Sequence, residues 1–181
     1  MKLKKIILTA IMLALLIGTQ FVTRSLGQFV TGTLVNLILL VTVFTVGLGG
    51  GLAVAVASNF LAFLAGIGPA LPQVVPFVAA ANAILVSIAY LVRRHVAEKS
   101  IKKKAIAAAG LIGAGAAKTL FLWVGLVLVA LPLIPGIKEP QIAMLSSAFS
   151  WPQLVTALAG GALAMLVMPL LKRAMKAFEK E

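Results

Sequence analysis

The chain has no cysteine, one histidine (His95) and only four acidic residues among its 181. Without a thiol there is no disulfide, no thiolate nucleophile and no thiolate metal site. A lone imidazole, with carboxylates mostly beside Lys or Arg, assembles no protein metal site. No Ser-His-Asp set and no carboxylate pair falls in an apolar run, so the sequence implies neither an enzyme nor a cofactor. Two glycine-rich stretches imitate phosphate loops. Gly47 to Gly51 lacks the lysine and hydroxyl residue that a nucleotide loop needs. Gly113 to Thr119 has Lys118 and Thr119, but Ala117 replaces the required glycine and no strand precedes it. ATPase activity is not expected of this chain.

What the sequence does have is apolar length. Hydrophobic residues make up 62% of it and charged residues 11%, far from the balance of a soluble domain. All but three of the 16 Lys and Arg residues fall in three clusters. The first is Lys2, Lys4 and Lys5. The second is Arg93, Arg94, Lys99, Lys102, Lys103 and Lys104, and the third is Lys172, Arg173, Lys176 and Lys180. Apolar stretches of about 20 residues span a bilayer, and short basic loops stay cytoplasmic. The basic residues flank these stretches, so topology and anionic lipid account for the net charge of +12 better than nucleic acid does.

The sequence therefore predicts an all-α integral membrane protein that crosses a cell membrane several times. It is a single membrane domain, 1–181, built as a six-helix bundle with both termini inside. The expected spans are about 6–23, 29–46, 51–65, 73–92, 105–131 and 151–171. Met1 to Ile17 has the build of a signal peptide, but no small-x-small cleavage site follows, which predicts a retained first helix. The glycines from Gly47 to Gly51 predict the turn between helices 2 and 3. Pro132 and Pro135 end helix 5, and a short interfacial helix is expected near 142–149. Ser150 and Gln153 have capping-box spacing, with Pro152 in the first turn of the last helix. Ala10, Ala14 and Gly18 stripe helix 1, and Ala105, Ala109, Gly113 and Ala117 stripe helix 5, at spacings that let helices approach closely in lipid.

Polar residues within the spans are the candidates for function. At 1.5 Å per residue, Lys118 lies roughly 20 Å from the inner interface of a core about 30 Å thick. A charge at that depth is costly unless paired or hydrated, and marks either a solute site or a group satisfied within the bundle. Asn36, Asn59 and Asn82 are expected at a similar level on three other helices, where each needs hydrogen-bond partners. Trp123 and Trp151 near the outer interface read as an aromatic belt or as a stacking wall for a flat ligand. Arg24, Gln28 and Gln153 fall at the same mouth. Arg24 is either a clamp for an anionic group or a solvated loop residue.

The motif Ala10-Ile-Met-Leu-Ala14, the stretch Gly32-Thr-Leu-Val-Asn36, the glycine-rich turn and Phe149-Ser-Trp-Pro-Gln-Leu-Val-Thr-Ala157 leading into Gly160 and Gly161 carry a family likeness. Over essentially its whole length the chain resembles a substrate-binding (S) component of an energy-coupling factor (ECF) vitamin transporter. The resemblance implies a six-helix, non-enzymatic protein that captures a scarce water-soluble micronutrient. It also implies a transmembrane coupling (T) subunit, attached to two cytoplasmic ATPase subunits, as partner. Ala10 and Ala14, with Gly18 continuing their stripe, would face that coupling subunit. The connection from Arg24 to Gln28 would cover the pocket, and the body would topple in the membrane to carry its ligand inward. Two rivals differ in kind. An ion-coupled permease commonly has intramembrane acids and internal repeats, and this sequence shows neither. A structural subunit of a membrane complex would have no ligand, and so no use for polar groups gathered at one depth.

Overall fold

The computed structural model describes residues 2–98 and 100–178, with side chains described for 3–98 and 100–174. The basic side chains of Lys2, Lys99, Lys176 and Lys180 lie outside the described residues. The described chain is helical, with no strand. Its helices are α1 (Lys2–Thr23), α2 (Gln28–Thr45), α3 (Leu48–Leu64), α4 (Val75–Val92), α5 (Ile101–Phe121), α6 (Glu139–Ala148) and α7 (Trp151–Phe178). Among the described residues, five helical stretches are long and apolar enough to cross a membrane, and α3, at 17 residues, is a shorter apolar helix. At 1.5 Å per residue α3 reaches about 25 Å.

The core follows one rule: large apolar residues point inward on α2 and α4, and α1 turns most of its surface outward. Leu39, Leu40 and Val43 of α2 are fully buried against Val54 and Ala55 of α3 and Leu85 and Val86 of α4. On α1 only Leu16 and Thr23 are buried, whereas Ile6, Ile11, Leu15 and Val22 are at least half exposed. In lipid such a face incurs no hydrophobic penalty, because acyl chains are as apolar as leucine.

Three details differ from the expectations of the sequence. The turn between α2 and α3 uses one glycine rather than all four of the stretch 47–51. Gly47 alone takes a left-handed backbone (φ 101°), and α3 begins at Leu48. Gly50 and Gly51 are instead packing residues. A Cβ on Gly51 would sit 2.8 Å from a Val86 methyl and 2.9 Å from Val43 Cβ. Second, α5 continues past Phe121 as a π-helix over Leu122–Ala130, then tightens at Leu131–Leu133 beside Pro132.

Third, the capping box at the start of α7 does not form. Ser150 Oγ donates to the Ser147 carbonyl at 3.1 Å, and Gln153 Nε2 donates to the Ala148 carbonyl at 3.1 Å. The cause is the two-residue junction between α6 and α7. It leaves the last carbonyls of α6 unpaired within reach, and unpaired helix-end carbonyls attract any donor nearby. These two bonds fasten α6 to the head of α7.

Candidate functional site

The packing of α2, α5 and α7 sets up the site. A Cβ on Gly160 of α7 would lie 2.7 Å from Asn36 Cβ and 2.9 Å from the Thr33 carbonyl oxygen. A Cβ on Gly32 would lie 3.0 Å from the Thr156 methyl, and one on Gly115 would lie 3.1 Å from Ala157 Cβ. Glycine at these positions lets the three backbones close on one another. That approach brings together side chains far apart in sequence.

Lys118 Nζ donates to Asn36 Oδ1 at 2.7 Å. Asn36 Nδ2 donates to Thr156 Oγ1 at 3.3 Å, and the Thr156 hydroxyl donates to the Gln153 carbonyl at 3.1 Å. Because an ammonium can only donate, Asn36 must present its oxygen to Lys118 and its nitrogen to Thr156. The chain of bonds runs in one direction from charge to backbone. All three side chains are 3% exposed or less. A second pair lies between α3 and α4. Asn59 Nδ2 donates to the Ala55 carbonyl at 2.6 Å, and Asn82 Nδ2 donates to Asn59 Oδ1 at 3.4 Å.

Lys118, Asn59 and Asn82 open onto the same cavity, of about 440 Å³. Its rim is formed by Gln28 at the start of α2 and by the loop Gly68 to Ala70. Met144, Leu145 and Ala148 of α6, with Phe149, line another side. These segments lie at the end of the bundle opposite the basic cluster that follows α4. Among the described residues three buried polar atoms have no partner: Asn82 Oδ1, Gln20 Oε1 and Ser58 Oγ. The first two belong to residues that line the cavity. Each of these two acceptors takes its donor from water or from a solute that enters the cavity.

The family model described as ECF transporter, substrate-specific component, matches residues 4–172. The chain belongs to this family. It is a membrane substrate-binding subunit of an ECF transporter, and such components are transporter subunits rather than enzymes. Comparison with curated proteins and with solved structures gives no match.

In this substrate-specific component the candidate residues divide into two groups. Gln28, Asn59, Asn82, Lys118 and Gln153 line the cavity, and Asn36 lies behind it, bonded to Lys118. Arg24, Trp123 and Trp151 do not line it. The Arg24 guanidinium is exposed and stands 4.9 Å over the ring of Phe21 on its own helix end. Trp123 is 46% exposed and Trp151 63%, and both border a separate, outward-facing apolar groove between α5 and α7. Trp151 stacks at a tilt on Phe29, with ring centroids 5.6 Å apart. Their positions fit the aromatic-belt reading.

The sequence reading missed Gln20, Thr31, Thr156 and Phe149. Gln20 carried a usable signal, being a carboxamide one turn inside the predicted end of helix 1. Ala10, Ala14 and Gly18 lie on the exposed face of α1, and a Cβ at Gly18 would meet nothing within 4 Å.

Proposed function

We propose that the chain captures a small water-soluble vitamin or related micronutrient from outside the cell, in the cavity bordered by α6. Capture would be coupled through the exposed Ala10, Ala14 and Gly18 stripe to a transmembrane coupling subunit and its two ATPases. The observation that carries this reading is Lys118. A cation that is 3% exposed opens onto a cavity whose other polar side chains, among the described residues, are uncharged. A charge held in apolar surroundings with one carboxamide partner is poorly compensated until a solute joins it. A concave, mainly apolar cavity with a few convergent polar groups is the usual form of a small-molecule site.

The orientation follows from charge. Six spans with the N-terminal basic cluster inside return the C-terminal cluster to the same side, along with the cluster after α4. The cavity then faces the exterior of a prokaryotic plasma membrane.

Purified full-length chain in lipid nanodiscs, denatured and analysed by mass spectrometry, is expected to release one small metabolite in near-stoichiometric amount. Uptake of that metabolite in cells is expected to require the coupling and ATPase subunits. Uptake by the chain alone would make it a self-sufficient permease. Absence of any bound metabolite, together with no binding of added vitamins, would overturn capture in this cavity.

A further inference from the structure

Granting that the cavity is the capture site, we propose that its ligand is a monocarboxylate that also carries an N–H or O–H donor, on a largely aliphatic body. The charge count comes first. Among the described residues Lys118 is the one charged residue lining the cavity, and no carboxylate lines it. In a low-dielectric wall a single negative charge on the ligand cancels the ammonium. A dianion such as a phosphate ester leaves one charge uncompensated, and a cation adds to the one present.

The donor inventory agrees. Of the three N–H groups on Lys118, one goes to Asn36. The remaining two can meet the two oxygens of a carboxylate. The other polar side chains on the wall are neutral, and four of them already use one donor internally. Thr31 Oγ1 donates to the Thr23 carbonyl at 2.8 Å, and the amide nitrogens of Gln153, Asn59 and Asn82 are bonded as described above. The second ligand group follows from Asn82, which is 2% exposed. Asn59 gives its nitrogen to Ala55, so its oxygen faces Asn82. Asn82 must answer with its own nitrogen, which leaves Oδ1 as the unpartnered atom. An acceptor without a donor takes an N–H or O–H from the guest that covers it, and an anionic oxygen there would be repelled.

The apolar wall sets the body of the ligand. Among the described residues Phe149 is the only aromatic side chain lining the cavity, while Val35, Ala62, Val78 and Leu145 line it elsewhere. No pair of rings is available to sandwich a flat heterocycle.

The test uses the full chain in lipid nanodiscs, with melting temperature and equilibrium affinity as readouts. The probes are biotin and pantothenate as monocarboxylates with N–H donors, and biotin methyl ester and panthenol as their neutral counterparts. Thiamine serves as a cation and pyridoxal 5′-phosphate as a dianion. The compound released from the purified protein is identified in parallel. The proposal expects the released compound, or a probe that raises the melting temperature, to be a monocarboxylate. Its ester or alcohol should bind at least 100-fold more weakly, and Lys118→Met should cause a similar loss. The comparison of acid with ester on unaltered protein stands even if that variant misfolds. A neutral, cationic or phosphorylated ligand, or an ester that binds as tightly as its acid, overturns the ligand class while leaving capture intact. No released compound and no response to any probe overturns both.

Discussion

Lys118 Nζ and Asn36 Oδ1 lie 2.7 Å apart although the two residues are 82 positions apart in the chain, and among the described residues no carboxylate joins them at the cavity wall. The pair is a cation held by a dipole. Its two halves therefore respond differently to truncation. Asn36→Leu strands a buried ammonium without a protein partner, a loss of about 1–3 kcal/mol or more. Lys118→Met removes the buried charge and leaves one carbonyl oxygen unpaired, so the ligand-free protein is expected to melt near the wild-type temperature or above it. Thermal unfolding of both single variants and the double variant tests this. The double variant should be less destabilised than the sum of the singles, with a coupling of about 0.5–3 kcal/mol. Strict additivity would mean that the two groups do not interact in solution.

Gly160→Ala tests the packing that creates the site. The added Cβ would press on Asn36 Cβ and on backbone atoms of Thr33 and Leu37, which cannot rotate away. Overpacking of this kind costs about 1–3 kcal/mol. The variant is expected to melt several degrees lower and to bind ligand at least 10-fold more weakly, because α7 must shift away from Asn36. Gly18→Ala is the matched comparison. Nothing lies within 4 Å of its Cβ, so stability should hold or rise slightly, as alanine favours helix over glycine by about 1 kcal/mol.

The tryptophans give a prediction of no effect. Trp123→Ala and Trp151→Ala should each leave ligand affinity within about threefold of wild type, since both rings border the outward groove rather than the cavity. Phe149→Ala, which strips the one aromatic ring from the cavity wall, should weaken binding at least 10-fold, in keeping with about 1.5–3 kcal/mol for burying such a side chain. Isothermal titration with the co-purified metabolite separates the two outcomes.

The contrast between the tryptophans and the asparagines marks how far the sequence can be read. Burial was legible. Asn36, Asn59, Asn82 and Lys118 are polar residues in apolar spans, all four are 5% exposed or less, and they bond in two pairs, Lys118 with Asn36 and Asn82 with Asn59. Direction around the helix was not legible for Trp123 and Trp151. In water an amphipathic stripe tells the buried face from the exposed one. In lipid both faces are apolar, and that signal disappears. Polar residues keep their direction because hydrocarbon forces them inward, and an aromatic ring at the interface is under no such constraint. The turn at Gly47 was misjudged for a related reason, since a glycine run reads equally as flexible backbone or as room for close packing. Only the neighbours of Gly50 and Gly51, which come from other turns and helices, decide between the two.

The stripe on α1 offers a prediction that separates capture from delivery. Ala10 and Ala14 are exposed, on a helix whose apolar side chains mostly point outward, and neither lines the cavity. Small residues at four-residue spacing let a second helix approach closely, and leucine in their place holds it off. The double substitution Ala10→Leu and Ala14→Leu should leave melting temperature and ligand affinity unchanged, because both side chains enter open space. Uptake in cells that contain the coupling and ATPase subunits should fall at least 10-fold, and the coupling subunit should no longer co-purify. Uptake at the wild-type rate would place the docking surface on another face of the bundle. A fall in affinity together with uptake would show that the stripe supports the cavity rather than a partner.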